Sequence, residues 1–320
     1  MSDASSAAGV PSAPAARGTA PTATTTLAAE AHAPKPGLRV RLGSSIGLLP
    51  FFGYVAIFLV VPTIVVAIGA FRANGQLSFA AFKVLRGSVM LQITYRTVLL
   101  AATTAVIGAV VGAVVAYVVA TANPNGVLRR FVTSVSGVLA QFGGVTLAFA
   151  FVATVGQSGI VTMWLYSVSN HNINLGGSLW LFSLKGLVLV YTYFQIPLMV
   201  IVFLPAIDGI KPQWREAADN LGASTWQYWR HVGGPLLFPA FLGSMLLLFA
   251  NAFSAYATAA ALVTQGAPIL PLQIRAALKS EVLLGAQNLG YAIALEMVVI
   301  VGIVMFLYTR LQRRTARWLQ

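Results

Sequence analysis

Apolar residues in this chain come in six long runs separated by short polar stretches, and each run can cross roughly 30 Å of hydrocarbon as a helix. The runs cover about 46–71, 97–121, 131–155, 186–205, 236–263 and 290–309. The expected fold is an all-α integral membrane protein with six transmembrane helices, forming one domain over residues 46–310. The third run is the least apolar, with Ser134, Ser136, Gln141 and Thr146, and is expected to face other helices or a water-filled path. Residues 157–181 carry Trp164, Tyr166 and Trp180 but are broken by Gly and Asn, which fits a short interfacial helix with aromatic anchors.

Residues 1–37 are rich in Ala, Pro, Thr and Ser and lack apolar periodicity, which predicts a disordered tail extending to residue 45. It has no continuous apolar core of signal-peptide length. Residues 311–320 form a short basic tail. Basic residues set the expected orientation. With both termini in the cytoplasm, the inside holds Arg17, Lys35, Arg39, Arg41, Arg129, Arg130, Lys211, Arg215, Arg230, Arg310, Arg313, Arg314 and Arg317. The outside then holds Arg72, Lys83, Arg86, Arg96, Lys185, Arg275 and Lys279. This division of 13 against 7 favours a cytoplasmic amino terminus and places residues 206–235 inside.

Of the 320 residues, 58% are hydrophobic and only 8% charged. A soluble domain carries about three times that charged fraction. A net charge of +13 suggests nucleic acid at first sight, but the basic residues sit at the ends of apolar runs. They are topology signals, so lipid is expected as a partner and nucleic acid is not. With no cysteine, disulfides, thiolate metal sites and thiol catalysis are excluded.

The most informative segment is the polar loop between the fourth and fifth runs, residues 206–235. Pro212 suits the first turn of a helix, and Gly222 suits the left-handed residue that closes one. Ser224 and Gln227 have the spacing of a capping box, which starts a second helix. The expectation is a rigid helix-turn-helix. Ala217 and Ala218 permit close approach of a partner, Trp214 and Trp226 offer apolar anchors, and Arg215 and Asp219 stand at i, i+4 for an exposed ion pair. Glu216 suits a cationic or hydroxyl donor on the partner. The bland alternative is an amphipathic surface helix without a partner.

Glu216-Ala217-Ala218, three residues, Gly222, nine residues, Val232 and Pro235 together resemble the EAA loop of ABC-type importer permeases, E-A-A-x3-G-x9-I-x-L-P. Leu221-Gly222-Ala223-Ser224 also matches a common extension of that loop. Val232 for Ile and Gly234 for Leu depart from the pattern, and Gly234 removes an apolar contact at the loop's end. Six runs with this loop between the fourth and fifth extend the resemblance over about residues 46–310. It implies the transmembrane permease subunit of an importer in a bacterial inner membrane, with a fold like that of the methionine and polyamine importers. It further implies ATPase subunits bound at Trp214, Glu216, Ala217, Ala218, Gly222, Ser224, Trp226 and Pro235. A second permease, as sister chain or copy, and an extracytoplasmic solute-binding protein complete the implied assembly.

No G-x-x-x-x-G-K-[ST] phosphate loop is present, so nucleotide hydrolysis requires a separate subunit. No H-E-x-x-H occurs, and His32, His171 and His231 lie far apart. No catalytic residue, metal or cofactor is expected. His231 fits a C-terminal cap on the second loop helix.

Glu296 is the only carboxylate well inside a run, about 9 Å in at 1.5 Å per residue. Such a group either lines a functional cavity or hydrogen-bonds a neighbouring helix. Asn251-Ala252-Phe253-Ser254-Ala255-Tyr256-Ala257-Thr258 resembles the F-x-A-[FY]-x-T region of the polyamine, iron and phosphonate branch. Asn251, Ser254 and Tyr256 either line a translocation path or join helices. Gly108 and Gly112 form a G-x-x-x-G, a spacing found in most membrane bundles. The branch resemblance suggests spermidine or putrescine, with aminoethylphosphonate and iron as relatives. Glu296 suits a cation, whereas seven outer basic residues against Glu281 suit an anion. A secondary transporter or channel with a regulatory loop is the alternative function.

Overall fold

The computed structural model describes residues 49–73, 76–169, 179–263, 269–279 and 287–316. The expected tail over residues 1–45 and residues 317–320 lie outside that description. The chain divides into two compact units, residues 1–61 and 62–320. In the first, helix α1 (Leu49–Val55) passes into a π turn at Ala56–Val60. Helix α2 (Val61–Ala70) follows, then a two-residue hairpin in which Arg72–Ala73 pairs antiparallel with Gln76–Leu77. The second unit goes on with α3 (Ala80–Leu85), α4 (Ser88–Thr121), α5 (Val127–Gln141), α6 (Gly144–Val155) and α7 (Ile160–Val168). After a short 3₁₀ turn at Leu179–Phe182 come α8 (Leu184–Asp208), α9 (Pro212–Asn220) and α10 (Thr225–Tyr228). The last elements are α11 (Gly234–Ser254), α12 (Ala257–Leu262), α13 (Leu270–Lys279) and α14 (Gln287–Ala316).

Six helical stretches are long and apolar enough to cross a membrane: Leu49–Ala70, Ser88–Thr121, Gly144–Val168, Leu184–Asp208, Thr225–Ser254 and Asn288–Arg310. The number and order agree with the apolar runs. Three spans differ from the runs by more than a few residues, each for a physical reason.

The second span begins at Ser88 rather than 97. Its added turns are two-faced, with Met90 and Ile93 buried and Leu91, Gln92 and Tyr95 exposed, so no unbroken apolar run marks them. The third span is Gly144–Val168, not 131–155. The chain breaks at Phe142–Gly143, and Gly144 takes a left-handed φ of +70° that only glycine adopts cheaply. Upstream, α5 is a separate amphipathic helix packed on α8 with Ser136 buried, as its polar content implied. Downstream, α7 takes up residues 160–168 of the expected interfacial helix and belongs to the span, while residues 170–178 lie outside the described residues. The fifth span is shifted towards the loop, running from Thr225 and ending at Ser254. Extended backbone at Ala255 stops it, and the Tyr191 hydroxyl donates to the Ala255 carbonyl at 2.6 Å.

The core lies where α4, α8 and α11 meet. Gly108 and Gly112 seat α8 directly on α4. A Cβ on Gly108 would lie 2.6 Å from Gln195 Cβ, and one on Gly112 would lie 2.5 Å from Met199 Cβ. The G-x-x-x-G is therefore a close-approach surface. Both π turns end two residues before a proline, Pro62 and Pro235. Proline has no N–H and its ring crowds the carbonyl four residues back, and a widened turn accommodates both.

Candidate functional site

The polar loop folds into the expected elbow. Lys211 is extended and Pro212 opens α9. Gly222 closes that helix at φ +75°. Its N–H donates to Asp219 O at 3.0 Å and the Ala223 N–H donates to Ala218 O at 3.0 Å, the paired bonds of a Schellman cap. Two residues on, the Gln227 N–H donates to Ser224 Oγ at 3.3 Å, while the Ser224 N–H donates to Gln227 Oε1 at 2.7 Å. Both ends of the turn are thus closed by local hydrogen bonds.

Arg215 clamps the two arms together. Its Nε reaches Asp219 at 3.3 Å, its Nη2 donates to Thr225 Oγ1 at 3.0 Å, and its guanidinium lies 5.1 Å from the centre of the buried Tyr228 ring. The i, i+4 pair was legible from spacing, whereas the contacts to the second arm were not. Trp229 then fixes the elbow to the second span, edge-on to Tyr117 at 5.3 Å.

The second arm does not end in a cap at His231. It runs through a π turn at Trp229–Gly233 straight into α11. His231 Nδ1 instead lies 3.0 Å from Gln227 O, a carbonyl one turn back in the widened helix. Gly234, one of the two departures from the family pattern, caps this turn, and a Cβ there would fall 2.4 Å from Trp229 O.

Between the arms lies an apolar cleft of about 640 Å³. Trp214, Ala217, Ala218 and Pro235 line it, together with Leu221, Val232 and others. Glu216, Gly222, Ser224 and Trp226 stand outside the lining. Trp226 is 71% exposed and Leu221 87% exposed, so large apolar side chains project from a polar loop. Glu216 is exposed and has no ion pair among the described residues.

The second set of candidates lies at the far end of α11. Asn251 and Ser254 are exposed on one face. Asn251 Nδ2 makes a long bond of 3.4 Å to Gln195 Oε1, and Ser254 Oγ donates to Ala250 O at 2.9 Å. Tyr256 accepts from Arg275 Nη1 at 2.6 Å. Ser254, Tyr256 and Arg275 share a cavity of about 600 Å³. Glu296 is not brought to this face. Its Oε1 accepts from Thr94 Oγ1 at 2.9 Å, and Oε2 is buried without a partner among the described residues. Its cavity, of about 740 Å³, contains Phe71, Phe79, Phe82, Lys83 and Arg86 instead.

Two residues that carry much of this geometry had no local signal. Gln195 is wholly buried and lies within an apolar run. Arg275 is distinguished in the sequence only as one of the outer basic residues.

Comparison with known proteins matches this architecture to transport permeases. The chain is 34% identical over 83 residues to a probable starch degradation products transport system permease protein of Thermoanaerobacterium thermosulfurigenes, covering 26% of this chain and 28% of the relative. It is 28% identical over 111 residues to a thiamine transport system permease protein of Haemophilus influenzae, covering 34% and 19%. It is 27% identical over 112 residues to a molybdenum transport system permease protein of the same organism, covering 35% and 46%. The aligned parts therefore span less than half of each of these relatives. In fold, the chain is similar to a subunit of a bacterial ABC transporter that imports the acidic polysaccharide alginate, with a TM-score of 0.69 and 19% identity over 86% of this chain and 96% of that one. It also resembles the inward-facing MetNI methionine ABC transporter, with a TM-score of 0.52 and 16% identity over 72% and 99%. Residues 110–317, which contain the elbow and the last four spans, match the family described as binding-protein-dependent transport system inner membrane component. This six-span membrane protein belongs to that family.

Proposed function

We propose that this chain is the permease subunit of an ATP-driven importer and that the elbow of residues 212–235 docks a separate ATPase subunit. One observation carries the reading: an exposed apolar cleft on a doubly capped loop is joined through an unbroken helix to a membrane span. In this reading Trp214, Ala217, Ala218 and Pro235 form the cleft that receives the ATPase, Trp226 anchors its rim, and Glu216 meets a donor on its surface. Gly222 and Ser224 hold the angle between the arms. The amino terminus and the elbow are cytoplasmic, as the basic-residue asymmetry favours.

Asn251 and Ser254 are exposed on a membrane span, where polar groups are costly against lipid. That face suits a second permease, sister chain or copy, with a wet path between the two. An extracytoplasmic binding protein delivers the solute to it. Polyamine, aminoethylphosphonate and iron are the solutes the sequence resemblance suggests, while the relatives are named for starch degradation products, thiamine and molybdenum.

Purification of the tagged chain from native membranes in mild detergent tests the assembly. The expected co-purifying chains are an ATPase, a second permease and a binding protein, with vanadate-sensitive uptake after reconstitution. Uptake driven by an ion gradient, by this chain alone, would overturn the reading in favour of a secondary transporter.

A further inference from the structure

The cavity at the end of the fifth span carries a charge that the elbow reading does not use. Helix α13 is too short to cross a membrane, and it is held at its start by the Leu270 N–H, which donates to Thr97 Oγ1 of the second span at 3.0 Å. Gly290 lets it lie against α14, since a Cβ there would meet Leu278 at 2.9 Å. So fixed, α13 brings the exposed Arg275 to the break at Ala255–Tyr256. There Arg275 Nη1 donates to the Tyr256 hydroxyl, and its guanidinium lies 6.0 Å from the Tyr256 ring centre. One N–H of the fork is occupied in this way. No carboxylate pairs with Arg275 among the described residues, and Tyr256 is the other ionisable group in the cavity lining. Ser254 adds a hydroxyl to the same wall.

A guanidinium held in place by a tyrosine, with donors to spare and no acid beside it among the described residues, is suited to a carboxylate, sulfate or phosphonate group. Glu296, the residue that would favour a cation, accepts from Thr94 through one oxygen and opens on a different cavity.

We propose that Arg275, positioned by Tyr256, is a solute-binding residue that selects for an anionic group on the transported molecule. The proposal rests on the reading of the chain as an importer permease. It places Arg275 in the wall of the path, at the end of the fifth span opposite the elbow.

The test uses the complete native complex with its binding protein, reconstituted in phosphatidylcholine liposomes. Probes are sulfate, molybdate and 2-aminoethylphosphonate as anionic groups, putrescine and thiamine as cations, and maltotriose as a neutral solute. At least one anionic probe is expected to enter in an ATP-dependent manner, and the cations and maltotriose are not. Arg275→Gln is expected to raise KM for that anion by about tenfold or more, whereas Arg275→Lys, which keeps the charge and loses the fork, has a smaller effect. Recovery of the intact complex separates this result from a failure to fold. ATP-driven uptake of putrescine, thiamine or maltotriose, of no anion at all, or of the anion with unchanged KM in Arg275→Gln overturns the proposal. Anion uptake that requires added phosphatidylglycerol assigns Arg275 to a lipid headgroup and also overturns it. Uptake that proceeds without ATP defeats the importer reading instead.

Discussion

Gln195 Nε2 donates to the Leu248 carbonyl at 2.6 Å from a side chain with no exposed surface, so a single amide joins the fourth span to the fifth. Its Oε1 also accepts from Asn251, and its Cβ rests against Gly108 of the second span. Three spans therefore meet at one polar group inside an apolar core. Gln195→Leu keeps the volume and removes the hydrogen bonds. Interhelical hydrogen bonds in membrane bundles are worth about 0.6 kcal/mol on average and up to about 1.7. The expected outcome is a complex that assembles and loses about 1 kcal/mol, measured by thermal unfolding in detergent. Unchanged stability would mean that the surrounding packing alone holds the three helices.

The elbow makes a sharper prediction at Gly222. Nothing lies within 4 Å of the place a Cβ would occupy, so a substitution there meets no clash. The cost is conformational only, from a φ of +75° that L-residues disfavour by about 1–2 kcal/mol. Gly222→Val should insert normally into the membrane, with weak ATPase association and little uptake. Gly222→Asn should be much milder, because asparagine tolerates the left-handed region. Equal behaviour of the two variants in a pull-down of the ATPase would show that the elbow's angle is not what the partner reads.

Glu296→Gln separates the two roles weighed for that carboxylate. A glutamine at this position still accepts from Thr94 through its carbonyl oxygen. Given a cavity apart from Asn251, Ser254 and Tyr256, the variant should assemble and transport at near the native rate. Thr94→Val, which leaves both carboxylate oxygens without a hydroxyl donor, should lower the yield of folded complex. Loss of uptake in Glu296→Gln with the complex intact would instead place Glu296 on the path.

Orientation is open to direct measurement. A reporter fused after Gln320 or inserted at residue 125 should read cytoplasm, and one at residue 172 should read the outside. Inverted signals would put the elbow outside and remove it as an ATPase dock.

The elbow was legible because its signals are local. Pro212, Gly222, Ser224 and Gln227 act within four residues of themselves, and no distant packing competes with the hydrogen bonds they make. The number of spans was legible for the same reason, since apolar length is a property of a window. What local pattern could not supply was where helices stop and what meets across them. The break at Phe142–Gly144 carries no charged residue and only Gln141 and two glycines mark it, and Ser254 ends a helix whose apolar run continues to Val263. Tyr191 stabilises that second break from 64 residues away. Gln195 and Arg275 likewise depend on partners in other spans. The π turn at Trp229–Gly233 makes one helix of the loop arm and the fifth span, whose apolar run begins only after Pro235.

That join turns the fifth span into a lever. From Thr225 to Ser254 the rod holds 30 residues, which at 1.5 Å each is about 45 Å. A rod of that length pivoting by about 5° sweeps its far end through about 4 Å, more than a hydrogen bond spans. The end it would sweep is Ser254, on the wall of the cavity that holds Tyr256 and Arg275. In the importer reading, a push small enough to be absorbed by the loop would thus arrive, magnified, where Arg275 and Tyr256 touch.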